Sequence, residues 1–127
     1  IVGGQETILL VDDENEIRTW LKELMESYQY TVFTARNGRE ALEIYSKYRD
    51  TISLIVLDLF MPEMDGKRCL QELKRLNPEV RVIVTSGYSG TESINMMMSL
   101  GAEDFVGKPY DASHLMIRIR MLLDRQF

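Results

Sequence analysis

Short apolar runs and longer amphipathic stretches take turns along this chain. Ile8-Leu9-Leu10-Val11 has no polar alternation and stops at Asp12-Asp13, the pattern of a strand buried on both faces. Ile17, Trp20, Leu21, Leu24 and Met25 recur at three- and four-residue spacing and predict an amphipathic helix over about 14–28. Tyr30 to Ala35 reads as a second strand. Asn37-Gly38 then turns the chain into a helix carrying Ala41, Leu42, Ile44 and Tyr45. The most hydrophobic strand, Ile52 to Leu57, again ends on a carboxylate, Asp58, and Pro62 and Gly66 bracket the following loop. Cys69, Leu70, Leu73 and Leu76 form the next helical stripe, halted by Asn77-Pro78. Val80 to Val84 predicts a fourth strand leading to Thr85-Ser86-Gly87. A helix over about 91–100 follows and closes at Gly101. Asp104-Phe105-Val106 is a short fifth strand before Lys108-Pro109. The last helix spans roughly 112–124, with Leu115, Ile119 and Leu122 or Leu123 facing inward.

Five alternations of strand and helix with short connections predict an α/β fold, a mostly parallel doubly wound sheet with helices on both faces. In such sheets ligands bind beyond the carboxyl ends of the strands, where the strand order switches. Asp12, Asp13, Asp58, Ser86 and Lys108 all follow strand ends, so all five are expected at one edge of one sheet. No repeat, low-complexity tract or internal linker interrupts the pattern.

Composition narrows the chemistry. With 127 residues there is one domain's worth of chain, enough for a core without staples. A net charge of -5 argues against a nucleic-acid surface. One cysteine, Cys69, excludes a disulfide framework, and one histidine, His114, removes the usual zinc sites and makes a Ser-His-Asp mechanism improbable. Apolar runs fall far short of a membrane span and no export signal opens the chain, so a cytoplasmic setting without membrane contact is expected. Residues 1–5 read as a linker or trimmed remnant, 6–124 as the domain and 125–127 as a tail.

Three carboxylates converging on a cleft repel one another unless a cation sits among them. Oxygen-only ligands suit Mg2+, with Mn2+ as a substitute. A lysine and a small hydroxyl beside such a metal match phosphoryl chemistry. No Gly-rich cradle precedes a Lys-Ser or Lys-Thr pair, so the phosphoryl group is expected on the protein itself, with a carboxylate as nucleophile.

The residues that carry this reading resemble a known family. Ile8 to Glu14, Val56 to Gly66, Ser86-Gly87 and Lys108-Pro109-Tyr110, in this order and spacing, are similar to the receiver domains of bacterial two-component response regulators over about residues 6–124. The resemblance implies a flavodoxin-like fold with sheet order 2-1-3-4-5. It implies that Asp58 takes a phosphoryl group from a phosphohistidine of a histidine kinase or phosphotransfer domain, and that the domain catalyses this transfer and its hydrolysis. Mg2+ would be held by Asp13, Asp58 and the backbone carbonyl of Phe60, with Asp12 acting through a metal-bound water. Lys108 would pair with Asp58 before transfer and with a phosphoryl oxygen after it. The hydroxyl switch falls on Ser86, 22 positions before the lysine, rather than on Thr85, which is expected to point into packing; its aromatic partner is Phe105. The output would pass through the face of the fourth helix, fifth strand and fifth helix to a partner or a second copy. Ser86 to Ser89 and Gly4 to Leu9 resemble receivers fused to hybrid histidine kinases.

Plainer readings stand beside these. Asp12-Asp13-Glu14 could simply cap a helix. Asp65-Gly66 is a turn, Cys69 core, and His114 solvated. Met96-Met97-Met98 cannot all face inward, so at least one is exposed. Two other functions compete: a docking module that is never phosphorylated, and a phosphatase working through an aspartyl phosphate. The second lacks an acid-base carboxylate near Asp58, where Phe60 stands, and has no room for a cap.

Overall fold

A computed structural model describes residues 2–59, 61, 64–87, 91–108 and 111–125. Strands and helices alternate as β1 (Thr7–Val11), α1 (Asn15–Ser27), β2 (Thr31–Ala35), α2 (Gly38–Tyr48), β3 (Ile52–Asp58), α3 (Gly66–Leu76), β4 (Val82–Ser86), α4 (Thr91–Ser99), β5 (Asp104–Gly107) and α5 (Ala112–Asp124). The strands form one parallel sheet in the order β2-β1-β3-β4-β5. The central strand β3 is the longest and most apolar, and Leu54, Ile55 and Leu57 are fully buried. Burial of each such side chain contributes about 1.5–3 kcal/mol.

Alternation along the strands divides the core into two layers. Leu9, Val11, Ile55, Leu57, Val82 and Val84 pack with residues of α2, α3 and α4 on one face. On the other, Ile8, Leu10, Leu54, Val56, Ile83 and Val106 meet Leu21 and Met25 of α1 and Leu115, Met116, Ile119 and Leu122 of α5. Asn37 and Asp65 cap α2 and α3, accepting from the backbone of Glu40 at 2.8 Å and of Arg68 at 2.9 Å. Gly101, just past α4, has φ +106°, which favours glycine.

Two expectations shift. Val80 and Arg81 lie before β4, which runs two residues later than the apolar pattern suggests and ends on Ser86. Arg81 instead reaches the end of α5, donating to the carbonyls of Leu122 at 2.8 Å, Leu123 at 3.1 Å and Arg125 at 2.6 Å. Trp20 belongs to the outer side of α1, 47% exposed, leaving Leu21 and Met25 as that helix's buried residues. Met97 is buried while Met96 and Met98 are exposed, Cys69 is core and His114 is exposed. Among the described residues no helix is long and apolar enough to cross a membrane.

Polar clasps fasten the edge of the sheet opposite the aspartates. Lys74 pairs with Glu103 at 2.8 Å and also donates to the Val80 carbonyl at 2.5 Å, while Glu103 accepts from the backbone of Val82 at 2.6 Å. Arg120 of α5 holds Glu6 (2.6 Å) and Asp124 (2.7 Å) and donates to the Gly3 carbonyl at 3.2 Å. The Gly4 amide donates to the Tyr28 carbonyl at 3.2 Å, so the entering chain lies against α5 and the α1–β2 turn.

Candidate phosphoryl-transfer site

Each site residue sits where a strand runs out. β1 delivers Asp12 and Asp13, β3 ends on Asp58, β4 on Ser86, and Lys108 follows β5. The Asp12 amide donates to the Ala35 carbonyl and the Lys108 amide to the Ser86 carbonyl at 2.7 Å, carrying the ladder one step beyond the strands. Beyond Asp58 the chain bends sharply: the Leu59 amide donates to the Thr85 carbonyl at 2.8 Å, and the Gly66 amide returns to the Leu59 carbonyl at 2.7 Å. A Cβ on Gly66 would lie 2.6 Å from the Asp58 carbonyl oxygen and the Leu59 Cα, so only glycine permits this closure.

One carboxylate oxygen from each of Asp12, Asp13 and Asp58 lies within 4.8 Å of the others. Asp13 faces solvent, whereas Asp12 and Asp58 are buried, Asp58 being 4% exposed. Lys108 Nζ lies 2.9 Å from Asp12 and 3.4 Å from Asp58, so it bridges the two buried carboxylates and sits closer to Asp12. Asp12 accepts from the Glu14 amide through its other oxygen at 2.9 Å.

Charge explains the protonation behaviour. Burial pushes the Asp58 carboxyl from its ordinary value of 3.8 up to about 7; Lys108 opposes the shift, and Asp12 and Asp13 add to it. Burial alone would lower the Lys108 ammonium, but its bond to Asp12 and the charges of Asp58 and Asp12 outweigh this and raise it. Three carboxylates facing one lysine leave negative charge in excess. Clustered, hard oxygen donors of this kind fit a divalent cation such as Mg2+.

The hydroxyl pair is resolved less simply. Asp58 registers with Thr85, and Ser86 with Gly107. Alternation puts Thr85 on the Ile83 face, shared with Val56 and Asp58, and Ser86 on the Val84 face with Phe105. Both hydroxyl residues are buried. Thr85 thus lies on the Asp58 side of the sheet, while Ser86, the last residue of β4, shares a layer with α4 and the half-buried Phe105 at the strand end that borders the site. Phe60, expected to offer a carbonyl, and Pro109 and Tyr110 lie outside the described residues.

Arg18 is absent from the sequence expectations, yet its guanidinium donates to the Asp12 carbonyl at 2.7 Å. The available signal was a cation near the N-terminus of α1, where the helix dipole disfavours positive charge unless another group attracts it.

Comparison with known proteins agrees with this arrangement. The family model "Response regulator receiver domain" matches residues 8–120. Sensor kinase CckA of Brucella abortus is 33% identical over 98% of this chain, which spans 13% of that protein. The transcriptional regulatory protein CpxR of Escherichia coli is 35% identical over 93% of the chain, corresponding to 49% of its own length. The chain thus spans half or less of these curated relatives. Among solved structures, the CheX-CheY-BeF3-Mg+2 complex from Borrelia burgdorferi contains a chain that superposes with a TM-score of 0.91 at 27% identity, covering 94% of this chain and 90% of that one. With the sheet order, the acidic edge and the family match in agreement, the chain belongs to the response regulator receiver domains, the phosphoacceptor signalling modules of two-component systems.

Proposed function

We propose that Asp58 is the phosphoacceptor. The carrying observation is a nearly inaccessible carboxylate at the end of the central strand, with Lys108 at 3.4 Å and the carboxylates of Asp12 and Asp13 beside it. An Asp58 oxygen attacks the phosphorus of a phosphohistidine on a histidine kinase or phosphotransfer domain. The P–O bond forms as the P–N bond breaks, and the electron pair leaves with the imidazole. Water later attacks the acyl phosphate and releases inorganic phosphate. Lys108, freed from part of its pairing with Asp58, holds a phosphoryl oxygen. Asp13 and Asp58, with Asp12 acting through a water, would hold Mg2+ or Mn2+; the Phe60 carbonyl expected to join them lies outside the described residues. When bound, the cation neutralises charge on the transferring oxygens.

We further assign the switch to Ser86 and Phe105. Their shared layer beneath α4 supports a route in which Ser86 turns toward the phosphoryl group and Phe105 fills the space left behind. The surface altered by that exchange spans α4, β5 and α5, where Met96, Met98, Ile117 and Met121 are exposed, and it is the face we assign to a partner or a second copy. The functional unit is taken as residues 6–124. Similarity to a named sensor kinase favours a hybrid-kinase setting, and similarity to CpxR favours a transcriptional regulator.

Incubation with acetyl phosphate and Mg2+, followed by intact mass, is expected to show a single phosphoryl adduct that is lost in base and absent from Asp58→Asn. An equal adduct at an equal rate in Asp58→Asn overturns the assignment; no adduct in the wild type supports the docking-module reading.

A further inference from the structure

From the start of α1 the Arg18 side chain turns back toward the sheet edge. Nη1 donates to the Asp12 backbone carbonyl at 2.7 Å and Nη2 to Asn15 Oδ1 at 2.9 Å. That carbonyl belongs to the peptide plane joining Asp12 to Asp13. The residue before the joint is held at every polar group: its amide by the Ala35 carbonyl, its carboxylate by the Glu14 amide and Lys108, and its carbonyl by Arg18. Asp13, on the far side of the joint, is exposed. The direction in which its side chain leaves the backbone is set by the peptide planes on either side, one gripped by Arg18 and the other tied through the Glu14 amide to the Asp12 carboxylate. A guanidinium with one N–H on this carbonyl and another on Asn15 cannot rotate freely, and its bond to the carbonyl is charge-assisted.

We propose that Arg18 is a positioning residue for the cation-binding carboxylates, locking the Asp12–Asp13 peptide so that the Asp13 carboxylate stays aligned with Asp58. The inference rests on the reading of Asp13 and Asp58 as cation ligands. Three roles for Arg18 differ in sign. Electrostatics alone says that removing a cation beside an acidic cleft tightens cation binding. A purely structural tie lowers stability and leaves the affinity unchanged. Positioning weakens the affinity despite the lost repulsion.

Mg2+ titration by calorimetry and Mn2+ titration by electron paramagnetic resonance, alongside urea unfolding, separate the three. The proteins compared are wild type, Arg18→Gln, Arg18→Lys, Asn15→Ala and Asp13→Ala. Arg18→Gln is expected to bind about tenfold more weakly, the scale found when a group that orients a metal ligand is lost. Arg18→Lys keeps the charge and one donor and recovers part of the affinity; Asn15→Ala, which frees the guanidinium, weakens binding less and in the same direction. Unchanged or tighter binding in Arg18→Gln overturns the proposal. Should that variant fail to fold, wild-type affinity in both Arg18→Lys and Asn15→Ala overturns it instead. Asp13→Ala keeps the two readings apart: wild-type affinity there removes the ligand assignment, whereas weakened binding there with wild-type affinity in the Arg18 and Asn15 variants removes only the positioning role.

Discussion

Burial of Asp58 among two other carboxylates means that ionising it works against folding. Its carboxyl stays protonated up to about pH 7 in the fold, against an ordinary value of 3.8 in an open chain, so the native state holds an extra proton between those limits. The stability tied to that proton is complete below the ordinary value and lost as pH rises through about 7. Asp58→Asn removes the ionisation, and Asp12 remains as a partner for Lys108. Urea unfolding of the cation-free protein should find the variant more stable than wild type by about 2–4 kcal/mol at pH 8, from ~1.4 kcal/mol per pKa unit, with little difference at pH 4. Millimolar Mg2+ should narrow the gap at pH 8 by stabilising the wild type alone. At this scale the sequence was informative wherever a charged residue interrupted an apolar run, as Asp12 and Asp58 do. For Arg18 it offers only a weak sign, a cation in the first turns of α1 against the helix dipole, because the backbone carbonyl that the side chain reaches leaves no mark in spacing.

Elements were legible in proportion to how strongly burial dictates their residues. β3, buried nearly throughout, reads as an unbroken apolar run; Asn37-Gly38 reads as the turn into α2 and caps it, while Asp65-Gly66, which reads as a turn, also caps α3. The Val80–Val84 pattern starts β4 two residues early because Val80 continues its β-prone run, whereas a contact to the distant end of α5 sets the place of Arg81. Trp20 falls in the apolar stripe of α1 by spacing but outside it in space, since helical periodicity fixes the face only to within the width of a residue. The β3–α3 connection shows the tightest link between backbone and site. Gly66→Ala places a methyl against the Asp58 carbonyl and Leu59, and is expected to cost about 1–3 kcal/mol of stability. Because the strain falls on the residue proposed as the nucleophile, phosphorylation by acetyl phosphate is also expected to slow, read as the rate of adduct formation by intact mass.

Across the whole molecule, a charge placed at one sheet edge has to be felt on a distant face. Strand alternation places Ser86 on the face of Phe105 and Met97 of α4, and this layer is the route we propose. With beryllofluoride and Mg2+ bound, Ser86→Ala should retain occupancy of the site while the amide NMR shifts of Met96–Leu100, Phe105 and Leu115–Ile119 shrink relative to wild type. Equal shifts in the two proteins would exclude this hydroxyl from the route. The amides of Val82 and Glu103 are expected to stay still in both, because the Lys74–Glu103 pair fastens β4 and β5 at their far ends.

The grip of Arg120 on the entering chain and of Arg81 on the end of α5 has a practical side. Gly3 and Arg125 are both held at the rim opposite Asp58, so a tag, a tether or a surface linkage attached beyond either point stands behind the molecule. An immobilised sample then presents the edge that carries Asp12, Asp13 and Asp58 to the solution.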